Sequence, residues 1–368
     1  MSTLTSPRRS ALTRNRLPGS APWVSLAVAL VVGAALASLI GFSFFGWGIF
    51  AALAFTVVYV AWSAAVEGPR KARDKLATCL VVGAFLLALL PLVSIVWTVL
   101  VEGLKGVLTP GFLGTSMNGV SGIQDNQSVN NGTRVLGGIY HSLMGTLLIT
   151  LWATIISVPI GLLTSIYLVE YGSGKRLARA ITFFVDVMTG IPSIVAGLFA
   201  AALFATIMGP GTKTGFVAAV ALSVLMIPVV VRSSEEMLRI VPNELREAAY
   251  ALGVRKWRTI LKVVIPTAIS GIASGVTLAI ARVIGETAPI LVTAGFATKI
   301  NLNVFGDWMS SLPTFIYTQI LNPTSPSNPD PSTQRAWGAA LVLIVMVMLL
   351  NLAARLIARL FAPRTSGR

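Results

Sequence analysis

The chain has 368 residues, of which 55% are hydrophobic and only 11% charged, with a formal net charge of +15. A soluble domain carries about 25% charged residues, so this composition excludes an ordinary soluble protein. The basic excess would suggest nucleic acid in a soluble chain; in a chain of long apolar runs it implies basic loops on the inner side of a membrane and no nucleic-acid partner.

A helix needs about 20 apolar residues to cross a bilayer. Eight stretches qualify, at 22–42, 44–66, 76–101, 142–169, 181–207, 215–232, 267–297 and 337–357. The fold class expected is therefore all-α, a polytopic transmembrane helical bundle of about eight spans with membrane lipid around it. The first stretch is too long for the apolar region of a cleavable signal peptide, and a second span follows almost at once. A break at 67–75 divides the chain into a basic tail (1–21), an N-terminal two-helix hairpin (22–66) and a six-helix group (76–361). Cys79 sits alone in an apolar run, so no internal disulfide forms. With a single histidine, His141, no metal site or cofactor is expected.

Basic residues fix the direction of threading. With the N-terminus inside, the inner segments hold Arg8, Arg9, Arg14 and Arg16; Arg70, Lys71, Arg73 and Lys75; Lys175, Arg176 and Arg179; seven more between 232 and 264; and Arg355, Arg359, Arg364 and Arg368. The outer segments hold only Lys105, Arg134, Lys213, Lys299 and Arg335. Both termini are expected in the cytoplasm, in a multi-pass protein of the cell membrane. The two long outer segments, 102–138 and 298–336, read as irregular caps.

Residues 232–264 form the longest inner connection. Pro242, Asn243 and Glu244 predict a helix start, with the acidic residue favoured by the helix dipole. Leu245, Ala248, Ala249 and Leu252 predict a small apolar face, and Gly253 a stop. Val254 to Lys262 reads as a basic amphipathic helix that Pro266 ends at the membrane edge. These features also fit an ordinary interfacial linker; the spacing separates the two. Glu247-Ala248-Ala249, three residues, Gly253, nine residues, then Val263-Val264-Ile265-Pro266 resembles the EAA signature of ABC importer permeases, E-A-A-x3-G-x9-I-x-L-P, with Val263 and Ile265 as aliphatic departures. The resemblance implies a six-helix permease core at 76–361. It also implies a coupling helix, with Glu247, Ala248, Ala249, Gly253 and Pro266 serving its docking to an ATPase subunit.

Nucleotide chemistry is not expected on this chain, and neither is enzymatic activity. A phosphate-cradling loop needs G-x4-G-K-[ST]. The nearest approach is Gly174-Lys175, with Val169 and Arg176 at the other fixed positions, while "GPGTKTG" at 209–215 has the wrong spacing.

Ionisable groups at membrane depth are costly and default to function. Arg282 and Glu286 lie four residues apart in the seventh stretch and are predicted to share one helix face. They read either as a structural pair or as a substrate pathway in which Arg282 neutralises an anion while Glu286 holds it in the empty state. Asp186 reads as a helix-to-helix or interfacial partner. Gly271 and Gly275 predict a close helix contact. Gly190, Pro192 and Gly197 predict a bend, and Pro289 would free the carbonyl of Gly285.

The segments "ARVIGETAPILVTAG" (281–295), "MTGIPSIVAGL" (188–198) and "GTLLITLWATIISVPIGLLTSIYLVEY" (145–171) resemble phosphate-specific permeases, and the form G-E-T-A-P resembles the A-type subunit, the PstA family. Over 76–361 this resemblance implies an ATP-driven inorganic phosphate importer. Its partners would be a homologous permease subunit forming a heterodimer, two ATPase subunits and an extracytoplasmic phosphate-binding protein. A permease for sulfate or molybdate, and a proton-coupled secondary transporter using Asp186 and Glu286, are the alternatives. The adjacency of Pro266 to the seventh stretch predicts a short mechanical route from the coupling helix to Arg282.

Overall fold

A computed structural model describes residues 16–172 and 174–361; Arg8, Arg9, Arg14, Arg364 and Arg368 of the expected basic tails lie outside the described residues. Packing divides the chain into two units, residues 1–97 and 98–368.

In the first unit, α1 (Ala21–Ile40) and α2 (Phe44–Glu67) form a hairpin. Small residues of α1, including Ser25, Ala29, Gly33 and Ala37, make its buried stripe. The close approach depends on Gly33, where an added Cβ would lie 2.7 Å from the backbone nitrogen of Ala51. Glu67 closes the hairpin by accepting hydrogen bonds from Lys75 Nζ (2.5 Å), Ser63 Oγ (3.0 Å) and the Leu17 amide (3.1 Å). The break expected at 67–75 shrinks to Gly68 at φ +94°, because α3 (Pro69–Val107) begins at once with proline in its first turn.

The second unit continues with α4 (Gly122–Asn130), α5 (Tyr140–Ile166) with a π turn at Tyr167–Tyr171, α6 (Arg176–Thr189), α7 (Ser193–Met208), α8 (Gly215–Ile240), α9 (Asn243–Ala251) and α10 (Lys256–Thr259). A second π turn, Ile260–Val264, leads into α11 (Ile265–Ile284), followed by α12 (Ala288–Thr293), α13 (Leu312–Leu321) and α14 (Asp330–Phe361). Among the described residues, seven helices are long and apolar enough to cross a membrane, or eight spans if the bent pair α6–α7 counts as one. The protein is thus a polytopic helical bundle, as its composition required.

The centre of this unit is α8. Of its most apolar stretch 67% is buried, against 33% for α5 and 22% for α14. Leu222, Met226 and Val230 of α8 pack with Ile149 and Ala153 of α5, Ala279 and Val283 of α11, and Ile290 of α12. Glycines set the spacing: Gly161 of α5 faces Val230, and Gly271 and Gly275 of α11 face Met237 and Ser233 of α8. The close contact predicted for Gly271 and Gly275 is therefore made against α8.

Two predicted spans are broken. The stretch 181–207 is α6 and α7, bent by 108°. Gly190 and Pro192 stand at the bend, where Pro192 has no amide to continue the ladder and takes an extended ψ of 136°. Gly197 does not bend the chain; it admits Pro289, whose Cα would lie 2.7 Å from an added Cβ. The stretch 267–297 stops as a helix at Ile284, and Gly285, Glu286 and Thr287 separate it from α12. Pro289 sits in the first turn of α12, where its missing amide costs nothing, so it frees no carbonyl within a continuous helix.

The two long connecting segments, 102–138 and 298–336, are more ordered than expected. Capping boxes start α4 (Ser121 with Gln124) and α13 (Ser311 with Thr314). Arg335, 1% exposed, ties this cap together. It donates to both carboxylate oxygens of Asp125 at 2.9 and 2.6 Å, to Gln319 Oε1 at 3.0 Å and to the Leu136 carbonyl at 2.9 Å.

Candidate functional site

The connection 232–264 is a helix, a turn and a helix. After α8 the chain extends at Val241 and Pro242, and α9 starts at Asn243 with Glu244 in its first turn. Gly253 follows at φ +74°, a left-handed conformation that excludes most other residues and turns the chain sharply. The predicted helix stop is therefore met. Of the predicted apolar face only Ala249 is buried; Leu252 is 84% exposed, and Leu245, Tyr250, Trp257 and Leu261 are exposed beside it. Glu247 and Ala248 are exposed too, and Glu247 makes no ion pair among the described residues.

Pro266 does not end the following segment. The helix runs unbroken from Lys256 to Ile284, with proline in the first turn of α11 and the wide π turn directly before it. A proline ring inside an α-helix collides with the carbonyl four residues earlier. The π turn widens the backbone at that point and removes the collision.

One anchor joins this connection to the bundle. Arg246 of α9 donates through Nε (3.0 Å) and Nη2 (2.9 Å) to Oε1 of Glu170, which lies on the π turn ending α5. The same guanidinium caps the end of α8 by donating to the carbonyls of Leu238 (2.9 Å) and Val241 (2.6 Å). Lys256 donates to the backbone carbonyl of Glu170 and lies over the Tyr171 ring, 4.9 Å from its centroid. Helices α5, α8, α9 and α10 thus meet at Glu170. Sequence reading missed it, although it is the only carboxylate in the apolar run 145–171.

A second set of charges lies higher on α8. Arg232 pairs with Asp186 of α6 and with Glu235 (2.8 Å), and Arg239 pairs with Glu235 (2.6 Å). Asp186 is therefore a helix-to-helix partner, as read from its position.

Arg282 and Glu286 are not placed on one helix face. Arg282 is exposed in the last turn of α11, and Glu286 is half-buried in the break beyond it, its amide bonded to the Val283 carbonyl at 3.2 Å. The break turns Glu286 off the helical register, and among the described residues neither side chain makes an ion pair. Next to the break, Thr287, Ala288 and Leu291 line a cavity of about 290 Å³ with Ile194 and Tyr317.

Residues 157–367 match the family described as the binding-protein-dependent transport system inner membrane component. The phosphate transport system permease protein PstA 1 of Mycobacterium tuberculosis (strain ATCC 25618 / H37Rv) is 47% identical over 288 residues, 78% of this chain and 88% of its own. The phosphate transport system permease protein PstA of Yersinia pestis is 38% identical over 221 residues, 60% of this chain and 72% of its own. Among solved structures, the MetNI methionine ABC transporter in an inward-facing conformation is similar at 21% identity and a TM-score of 0.47, covering 61% of this chain and 95% of that one.

Proposed function

The chain belongs to the PstA family of phosphate transport system permeases, and from that premise we propose how its residues serve transport. It is a membrane permease of an ABC-type phosphate importer, a multi-pass transport subunit that works with a partner permease, ATPase and binding protein. Our reading is that the partner permease is a homologous chain forming a heterodimer, that two ATPase subunits hydrolyse the ATP, and that an extracytoplasmic phosphate-binding protein delivers the ion. Both termini face the cytoplasm in this reading. The permease core is 76–361, to which the hairpin 22–66 and the tail 1–21 are additions.

The observation that carries the path is the helix break at Gly285–Thr287, with Arg282 and Glu286 beside it and unpaired. A charge at membrane depth needs a partner. A phosphate anion in transit supplies one for Arg282, while Glu286, which makes no ion pair with it among the described residues, stands in the non-helical lining of the path. Non-helical backbone at that depth is tolerated where it lines a water-filled cavity. At the inner end, Glu247 and Ala248 with exposed Leu245 and Leu252 form the face that docks on an ATPase, and buried Ala249 seats the helix from behind. Gly253 projects that face, and Pro266 leads from it into α11.

The test is phosphate uptake by the Arg282→Ala variant in the assembled transporter. A hydrogen bond to a charged group contributes about 1.5–3 kcal/mol, so uptake should fall roughly 10- to 150-fold with assembly intact, and Arg282→Lys should recover part of it. Undiminished uptake by Arg282→Ala would remove Arg282 from the path.

A further inference from the structure

Between the ends of α5, α6 and α8 lies a cleft of about 400 Å³, lined by Leu168, Lys175, Arg179, Thr182, Glu235 and Arg239. Its one carboxylate is already balanced: Glu235 is held between Arg232 at 2.8 Å and Arg239 at 2.6 Å. Lys175 and Arg179 also face this cleft, and among the described residues neither has a carboxylate partner. The nearest acid on their own helix, Asp186, is engaged by Arg232. The cleft therefore carries a surplus of positive charge and no internal anion to meet it.

We propose that this cleft binds a phosphate group, at a site separate from Arg282 and Glu286. The surface beside it favours an anionic phospholipid headgroup as the source. On α6, Leu177 is 59% exposed and Phe183 and Phe184 are each 63% exposed. Such side chains suit acyl chains, while basic pockets between membrane helices suit the headgroup. The cleft shares Glu235 and Arg239 with the end of α8 that leads into α9. An occupant would therefore brace the base of the coupling connection. The cytoplasmic location rests on the topology proposed above; the charge argument does not.

The test uses the full chain purified in micelles, which expose both faces and make the result independent of orientation. Retention of phosphatidylglycerol is compared with that of phosphatidylcholine of the same acyl chains by native mass spectrometry, and inorganic phosphate is titrated in a second arm. Each basic side chain near a lipid surface contributes about fivefold in affinity, so Lys175→Gln with Arg179→Gln should weaken phosphatidylglycerol retention roughly thirtyfold. Arg134→Gln, on an exposed outer residue, should leave it unchanged. Inorganic phosphate binding that is lost in the double variant but kept in Arg282→Ala would also support the site and assign it to free phosphate. Equal binding of both probes by wild type and double variant, or an equal loss in Arg134→Gln, would overturn it. Both positions are exposed, so a melting curve matching wild type confirms the variant's fold.

Discussion

Glu170 gives the sharpest test of how the coupling segment is held. Its side chain is 5% exposed and that of Arg246 is 12% exposed, with two N–H groups of Arg246 sharing one carboxylate oxygen at 3.0 and 2.9 Å. Depriving a buried ion of its partner costs about 3–5 kcal/mol. Arg246 keeps the carbonyls of Leu238 and Val241, so Glu170→Ala belongs at the lower end, about 3 kcal/mol. Glu170→Gln keeps the shape and an acceptor but exchanges a charge-assisted bond for a neutral one, a loss of about 1 kcal/mol. A free energy of about 3 kcal/mol raises the population of undocked α9 by roughly two orders of magnitude. Amide hydrogen exchange across 243–251 should accelerate by that factor in Glu170→Ala, and phosphate imported per ATP hydrolysed should fall in the assembled transporter. The double variant with Arg246→Ala should cost far less than the two single variants added together, a coupling of about 2 kcal/mol. Additive costs, or unchanged exchange in Glu170→Ala, would refute the anchor.

Three further outcomes follow from the packing. Gly253→Ala forces a Cβ into φ +74° and should cost about 1 kcal/mol, read as faster proteolysis between α9 and α10; Gly285→Ala, in open space at φ −85°, should behave as wild type. Arg335→Gln strands the fully buried Asp125 carboxylate and should destabilise the cap of α4 and α13 by about 3–5 kcal/mol, seen as a lowered melting temperature, with Asp125→Asn in the same background recovering part of the loss. Gly197→Val drives a side chain into Pro289 and should cost about 1–3 kcal/mol in thermal stability, while Gly190→Ala, with only a 3.5 Å neighbour, should not.

What the sequence made legible was local. Apolar runs long enough for a bilayer located the helices because a helix satisfies its own backbone in lipid. Gly253 was readable because one residue type tolerates its backbone angle, and Gly271 with Gly275 because small residues one turn apart admit a neighbour. At Gly285 the sequence shows a disturbance, a carbonyl freed by Pro289, but not that the helix ends there, because apolar residues resume after Thr287 and a hydrophobic run cannot distinguish one long span from two helices. The cap around Arg335 escaped for a different reason. Arg335 and Asp125 are 210 residues apart, and neither is unusual within its own polar segment. Glu170 and Arg246 are separated by 76 residues, and only folding shows that one answers the other.

Contact between the two ends of the coupling pathway was expected over a short distance, and the helix geometry changes that expectation. Arg282 and Lys256 lie on one uninterrupted helical segment, Lys256–Ile284, which at 1.5 Å per residue spans about 39 Å between them. The link is long but continuous, and its parts differ in stiffness. Above Pro266 the helix is locked to α8 through Gly271 against Met237 and Gly275 against Ser233, contacts too close to slide without separating the backbones. Below it the π turn Ile260–Val264 interrupts the regular α-helical ladder. A push on α9 therefore meets the Glu170 anchor and the π turn before it meets the α8–α11 interface. Under the docking proposed for α9, Glu170→Ala should therefore lower phosphate imported per ATP hydrolysed more than substitution of exposed Glu247, and the reverse order would place the control on the exposed face instead.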